Sequence, residues 1–235
     1  MTVIQRCWSL VAAGSWSLLF VAMFGLQPAV AQETAVPALV DRIEEDWHLV
    51  VGDPDPEADS PQILNVMSPL ATIQDEHAVF EINHVTQPEY AAGGLQLQRW
   101  TGPEHCVEFT PVSDYGTFAR SGEDVRYTLR MSIRDSMLYY SVRNGSSQTW
   151  GDFGSPGQIR LAVPTGMRTL SRYSPEFSAS ESKVAFGTHR VEKFERIEIR
   201  YYWQGQVVAR DQTRAVVHEY HPESLEASIP VTAEP

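Results

Sequence analysis

The 235-residue chain carries 18 basic against 30 acidic side chains, for a net charge of −12, and 43% of its residues are hydrophobic. That balance excludes nucleic acid and anionic membrane surfaces as natural partners, because both are held by basic patches. It suits solubility outside the cytosol, cation binding, or a neutral ligand such as a sugar.

Taken in chain order, the first segment reads as an export signal. Met1 to Arg6 carries one positive charge, Trp8 to Leu26 has no ionisable side chain, and Pro28 precedes Ala29-Val30-Ala31. Small residues at these two positions fit a signal peptidase pocket, so residues 1–31 are expected to be removed and the mature chain to start at Gln32. The alternative is an uncleaved anchor. The apolar run is near the lower limit of a span, about 17 residues, and is interrupted by Gly14, Ser15 and Ser17. Cys7 stands before the apolar core, so it is not placed like a lipoprotein cysteine. Cleavage leaves Cys106 alone, with no internal disulfide for an oxidising compartment; it is expected to be buried, with pairing to another chain as the alternative. The expected location is secreted, periplasmic or at the cell surface, with no membrane contact after cleavage.

Residues 32–46 read as a leader, with one or two helical turns over Ala38 to Glu45 after Pro37. From Trp47 the apolar period is two. Strands are expected over 47–51, 62–67, 78–85 and 94–100, where Leu95 and Leu97 alternate with Gln96 and Gln98. The clearest strand is 125–133. Val125, Tyr127, Leu129, Met131 and Ile133 point one way, and Arg126, Thr128, Arg130, Ser132 and Arg134 point the other. Asp135-Ser136 turns the chain into 137–143, and Asn144-Gly145 is expected to break that strand, since the dipeptide suits positive φ. Further strands follow over 158–163, 183–186 and 196–203, then 206–210 after a Gln204-Gly205 turn, then 214–218. Residues 222–235 read as a flexible tail. The β domain therefore spans 47–221, with about ten short strands at the spacing of an antiparallel β-sandwich. No βα alternation appears that would build a parallel sheet.

The order of strands, the glycine-rich aromatic loop and the strand Arg196 to Trp203 resemble exported β-sandwich proteins of the concanavalin-like or jelly-roll type. The resemblance covers roughly residues 47–220 and is carried by architecture, so it implies a fold and transfers no active site. Retaining glucanases of the concanavalin-like group carry Glu-x-Asp-x-x-Glu on a strand. The nearest acidic run here, Glu192, Glu195 and Glu198, lacks the Asp and has a different spacing.

Candidate chemistry is sparse. Glu192 and Glu198 would share a strand face with Glu195 turned away, and their interleaving with Arg190, Lys193, Arg196 and Arg200 reads as a salt-bridged wet face. Asp53, Asp55, Glu57 and Asp59 alternate in a loop, and such oxygens are what a single Ca²⁺ ion would take; Pro54 and Pro56 also suit a plain solvated turn. His218 and His221 lack a third zinc ligand. His105 and Cys106 are adjacent on an extended chain and face opposite ways. Asn144-Gly145-Ser146 matches the N-glycosylation pattern. In the loop over 144–157, Trp150 and Phe153 lie among glycines beside Asp152 and Gln148. Flat rings with polar neighbours suit stacking on a sugar, and the same rings would equally serve to cap the core.

The expected function is an exported, non-catalytic binding or surface-interaction module, with a carbohydrate or cell-surface component as partner and no cofactor beyond the Ca²⁺ option. An extracytoplasmic structural or assembly part and a secreted glycan hydrolase stand as alternatives.

Overall fold

A computed structural model describes residues 36–52, 61–83, 94–111 and 121–220. Among the described residues the chain forms thirteen strands: β1 (Arg42–Val51), β2 (Gln62–Met67), β3 (Glu76–Asn83), β4 (Gly94–Thr101), β5 (Cys106–Phe109), β6 (Glu123–Arg134), β7 (Met137–Ser147), β8 (Gly151–Phe153), β9 (Arg160–Pro164), β10 (Lys183–Phe186), β11 (Val191–Trp203), β12 (Gln206–Asp211) and β13 (Ala215–Glu219). One sheet runs in the order β12-β11-β1-β6-β7-β8, with β13 also pairing β11 and β9 also pairing β7; the other runs β10-β2-β3-β4-β5. Every pairing is antiparallel. The two sheets pack face to face over one core that includes Trp47, Leu49, Phe80, Leu95, Tyr127, Met131 and Phe194. The expected all-β sandwich is the observed fold, with β5 and β8 as short additions to the expected strands.

The pattern that builds it is period two. On β6, Val125, Tyr127, Leu129 and Met131 are buried, Arg126 is exposed and Arg130 half-buried, while Ile133 near the strand end is only partly covered. Asp135 and Ser136 both take positive φ, 52° and 58°, as does the Gln204-Gly205 pair. Those are the dihedrals of the tight hairpin turn whose twist matches the strands it joins.

Two sequence expectations are corrected. No helix forms over 38–45: β1 starts at Arg42 and alternates from there, with Ile43, Glu45, Trp47, Leu49 and Val51 buried. Glu45 is charged at an inward position, which masked the alternation. Asn144-Gly145 does not end β7 either. Thr128 pairs Arg143 and Arg126 pairs Ser146, so Asn144 and Gly145 together oppose Tyr127. Asn144 does have positive φ, 51°; the dipeptide makes a β-bulge rather than a turn.

One helix, α1 (Pro175–Glu181), lies between β9 and β10, with Ser174 accepting from the Phe177 amide at its N-cap. Pro at the first turn and Ser at the cap are the expected start signals. Ser182 just past its end donates to the Ser178 carbonyl and accepts from Asn65 and the Val66 amide, which fixes the helix to β2.

Candidate functional site

Trp150 and Phe153 lie in the core, 9% and 3% exposed, with ring centroids 6.2 Å apart. Their position is the core-capping one. Asp152 and Gln148 are exposed beside them. Glu123 fixes the loop from below, accepting from Ser147 Oγ, the Thr149 amide and Thr149 Oγ1. Asp53, Asp55, Glu57 and Asp59 lie outside the described residues. Among the described residues, no group of three or more His, Cys, Asp or Glu side chains is arranged to hold a metal. His221 lies outside the described residues, and His218 bonds the Thr188 carbonyl at 2.9 Å.

The acidic run on β11 does form ion pairs, but its facing differs from expectation. Trp47 pairs Arg196 and Asp46 pairs Glu198, so Ile197 is an extra residue and the face changes there. Glu195 and Glu198 consequently share the outer face. Glu195 contacts Lys193 and Arg214, with His48 at 3.5 Å, while Glu198 contacts Arg200 and Arg210.

A concavity of about 650 Å³ lies elsewhere, on the outer face of the five-stranded sheet. Cross-strand register builds it in rows. Lys183, Leu64, Glu81 and Gln96 form one row across β10, β2, β3 and β4. Val66, Val79, Gln98 and Phe109 form the next across β2 to β5, and His77, Trp100 and Cys106 the third. Leu64, Val66 and Val79 give the floor an apolar centre, and aromatic side chains stand to one side of it. Phe109 is 63% exposed. The Trp100 and His77 rings lie within 20° of parallel, centroids 6.5 Å apart.

A polar relay runs through the same rows. The Trp100 indole N–H donates to Gln98 Oε1 at 3.0 Å. Gln98 Nε2 donates to Glu81 Oε2 at 2.7 Å and to Gln96 Oε1 at 3.0 Å. Gln62 Nε2 donates to Glu81 Oε1, and Gln96 Nε2 to the Thr110 carbonyl. Glu81 is 1% exposed, so a carboxylate buried in the sheet face orients the amides of Gln62 and Gln98, while Gln96 is held by Gln98 and the Thr110 carbonyl. Side chains held this way are pre-organised, and little entropy remains to be lost when a ligand settles on them.

Burial shifts the two titratable side chains of this hollow, Cys106 and His77, in opposite directions. Burial pushes the Cys106 thiol up from its ordinary range, outweighing the opposite effects of its bond to the Glu108 carbonyl and of the Arg99 charge. Burial likewise pulls His77 down, against the Asp75 carbonyl contact and the Glu181 charge. The thiol is therefore held in its protonated, less nucleophilic form. Cys106 itself is half-buried, not the fully buried thiol expected from composition.

Sequence reading missed this site because its residues come from five strands. The available signal was the set of amides at alternate positions of one strand, Gln96 and Gln98, followed in the same phase by Trp100.

No protein-family model matches this chain, and no curated protein matches it.

Proposed function

We propose that this protein is an exported, non-catalytic binding module whose ligand seat is the outer face of the five-stranded sheet, and that its ligand is a neutral carbohydrate. The observation that carries the reading is the relay Trp100–Gln98–Glu81 beneath an open concavity with an apolar floor. A sugar ring presents CH groups on its faces and hydroxyls at its rim. Trp100 and Phe109 offer flat apolar surfaces for the first. Gln96, Gln98 and Lys183 bring polar groups alongside for the second. Concave sites with apolar lining and a few fixed polar groups are the usual form of a small-molecule site. Export rests on the amino-terminal sequence, where a basic start, an apolar run and Ala29-Val30-Ala31 follow one another.

A glycan array probed with the intact protein tests the reading, with Trp100→Ala as the matched variant. Binding to a defined set of neutral glycans, lost in that variant while its thermal midpoint is retained, supports it. A blank array from folded protein overturns it. That result would move the assignment to an assembly role, for which the exposed Val107 and Phe109 on the sheet-edge strand β5 are the relevant observation.

A further inference from the structure

The opposite sheet carries a second concavity of different chemistry. On its outer face, Arg42, Arg130, Arg134, Arg143 and Arg160 line a groove of about 500 Å³ together with Tyr139, Ser132 and Ser141. The register explains the concentration. Glu44 on β1 pairs Arg130 on β6, which pairs Ser141 on β7, which pairs Arg160 on β9. Arg143 follows two residues along β7, on the same face.

The charges in this groove are not balanced. Glu44 lies 3.6 Å from Arg42, 3.9 Å from Arg130 and 3.5 Å from Arg200, and also accepts from the Tyr202 hydroxyl at 2.7 Å. Glu44 thus serves two groove guanidinium groups, Arg42 and Arg130, while Arg200, outside the groove, is held by Asp46 at 2.8 Å. Arg134 is paired with its neighbour Asp135, and the lining carboxylate Asp41 accepts from the Gln204 amide. Among the described residues, Arg143 and Arg160 have no carboxylate within ion-pair distance. Arg160 is laid over the Tyr139 ring at 4.2 Å and Arg42 over Tyr202 at 3.6 Å, so both guanidinium planes are held in place. The Nε–H groups of Arg42 and Arg143 are buried with no hydrogen-bond partner. Burial, with Arg42 and Arg143 close by, lowers the Arg130 guanidinium from its usual value despite Glu44. Crowded cations with donors left open are costly unless an anion completes them.

We propose that this groove binds a compact oxyanion carrying two or more negative charges, of the polycarboxylate or sulfate type. Guanidinium forks match the oxygen spacing of both. The protein's net charge of −12 gives no general attraction for such ligands, so affinity would have to come from this groove. The site is distinct from the proposed carbohydrate seat and does not depend on it.

Isothermal titration calorimetry of the full chain at low salt, with citrate in one arm and sulfate in the other, tests the proposal. Saturable binding of at least one anion is expected, weakened at least about tenfold in Arg143→Gln/Arg160→Gln, as expected for the loss of charged hydrogen bonds. Citrate alone would identify a polycarboxylate ligand, and sulfate alone a sulfate-type one. Arg160→Gln by itself, at an exposed position, should weaken binding in the same direction if the double variant does not fold. Arg126→Gln/Arg210→Gln, exposed on the same sheet outside the groove, should bind like the parent. Absence of binding by both anions, or equal weakening in the Arg126/Arg210 control, overturns the proposal.

Discussion

Glu45 on β1 and Arg196 on β11 approach to 3.8 Å inside the sandwich, with Glu45 wholly out of contact with solvent. Glu45 also accepts from the Trp47 indole at 3.0 Å and from the Tyr173 hydroxyl, and Arg196 donates to the Pro175 carbonyl. The pair therefore joins two neighbouring strands to the turn that starts α1. Removing one partner of such a pair leaves the other buried and uncompensated. Glu45→Met and Arg196→Met should each cost about 3–5 kcal/mol. The double replacement Glu45→Met/Arg196→Met should cost much less than the two single changes added together. Chemical denaturation of the four proteins in this cycle measures the coupling. Additive losses would show that the pair does not act as a unit.

Phe153 lies directly against Gly145 in the bulge of β7. A Cβ on Gly145 would stand 2.2 Å from the Phe153 ring, and the ring is buried. Gly145→Ala should destabilise by roughly 1–3 kcal/mol or more, the range for overpacking a core. Phe153→Leu placed beside it should recover part of that loss. Trp150→Ala, in the same buried corner, should cost roughly 3–5 kcal/mol. Thermal or denaturant melts check all three. An unchanged midpoint for Trp150→Ala would mean that the ring is open to solvent and free to stack on a ligand.

What could be read from the sequence, and what could not, follows from the same chemistry. The alternation over 125–133 is plain because its buried and exposed sides differ sharply in polarity. The start of β1 is hidden by Glu45, and the facing of Glu195 by the extra residue Ile197. Local pattern cannot reveal an inward charge whose partner lies about 150 residues away. The candidate seat was harder still. Gln96 and Gln98 looked like the solvated side of a half-buried strand. Only cross-strand register places Glu81, His77 and Leu64 beside them and turns that side into a lined hollow.

Burial of His77 has a consequence for pH dependence. Its folded-state pKa lies below the ordinary 6.5, with burial as the main cause. The unfolded chain therefore binds the proton first as pH falls. This residue's contribution is fully present above about pH 6.5 and is lost as pH falls from there toward the lower folded-state value. Between pH 7.5 and pH 5.5 the denaturation midpoint should drop less in His77→Gln than in the parent. Equal drops would show that other groups govern acid sensitivity in this range.

The most direct test of the account is where a sugar makes contact. Trp47, Trp100 and Trp150 each give an indole N–H signal in a two-dimensional ¹⁵N spectrum, and the three lie in separate parts of the molecule. Titration with neutral oligosaccharides of cellulose, laminarin, xylan and chitin should move the Trp100 indole and the side-chain amides of Gln96 and Gln98 with at least one of them. The Trp47 and Trp150 indoles should stay in place. Shifts confined to Trp150, Asp152 and Gln148, or no shift with any of the four series, would contradict a ligand seat on the five-stranded sheet.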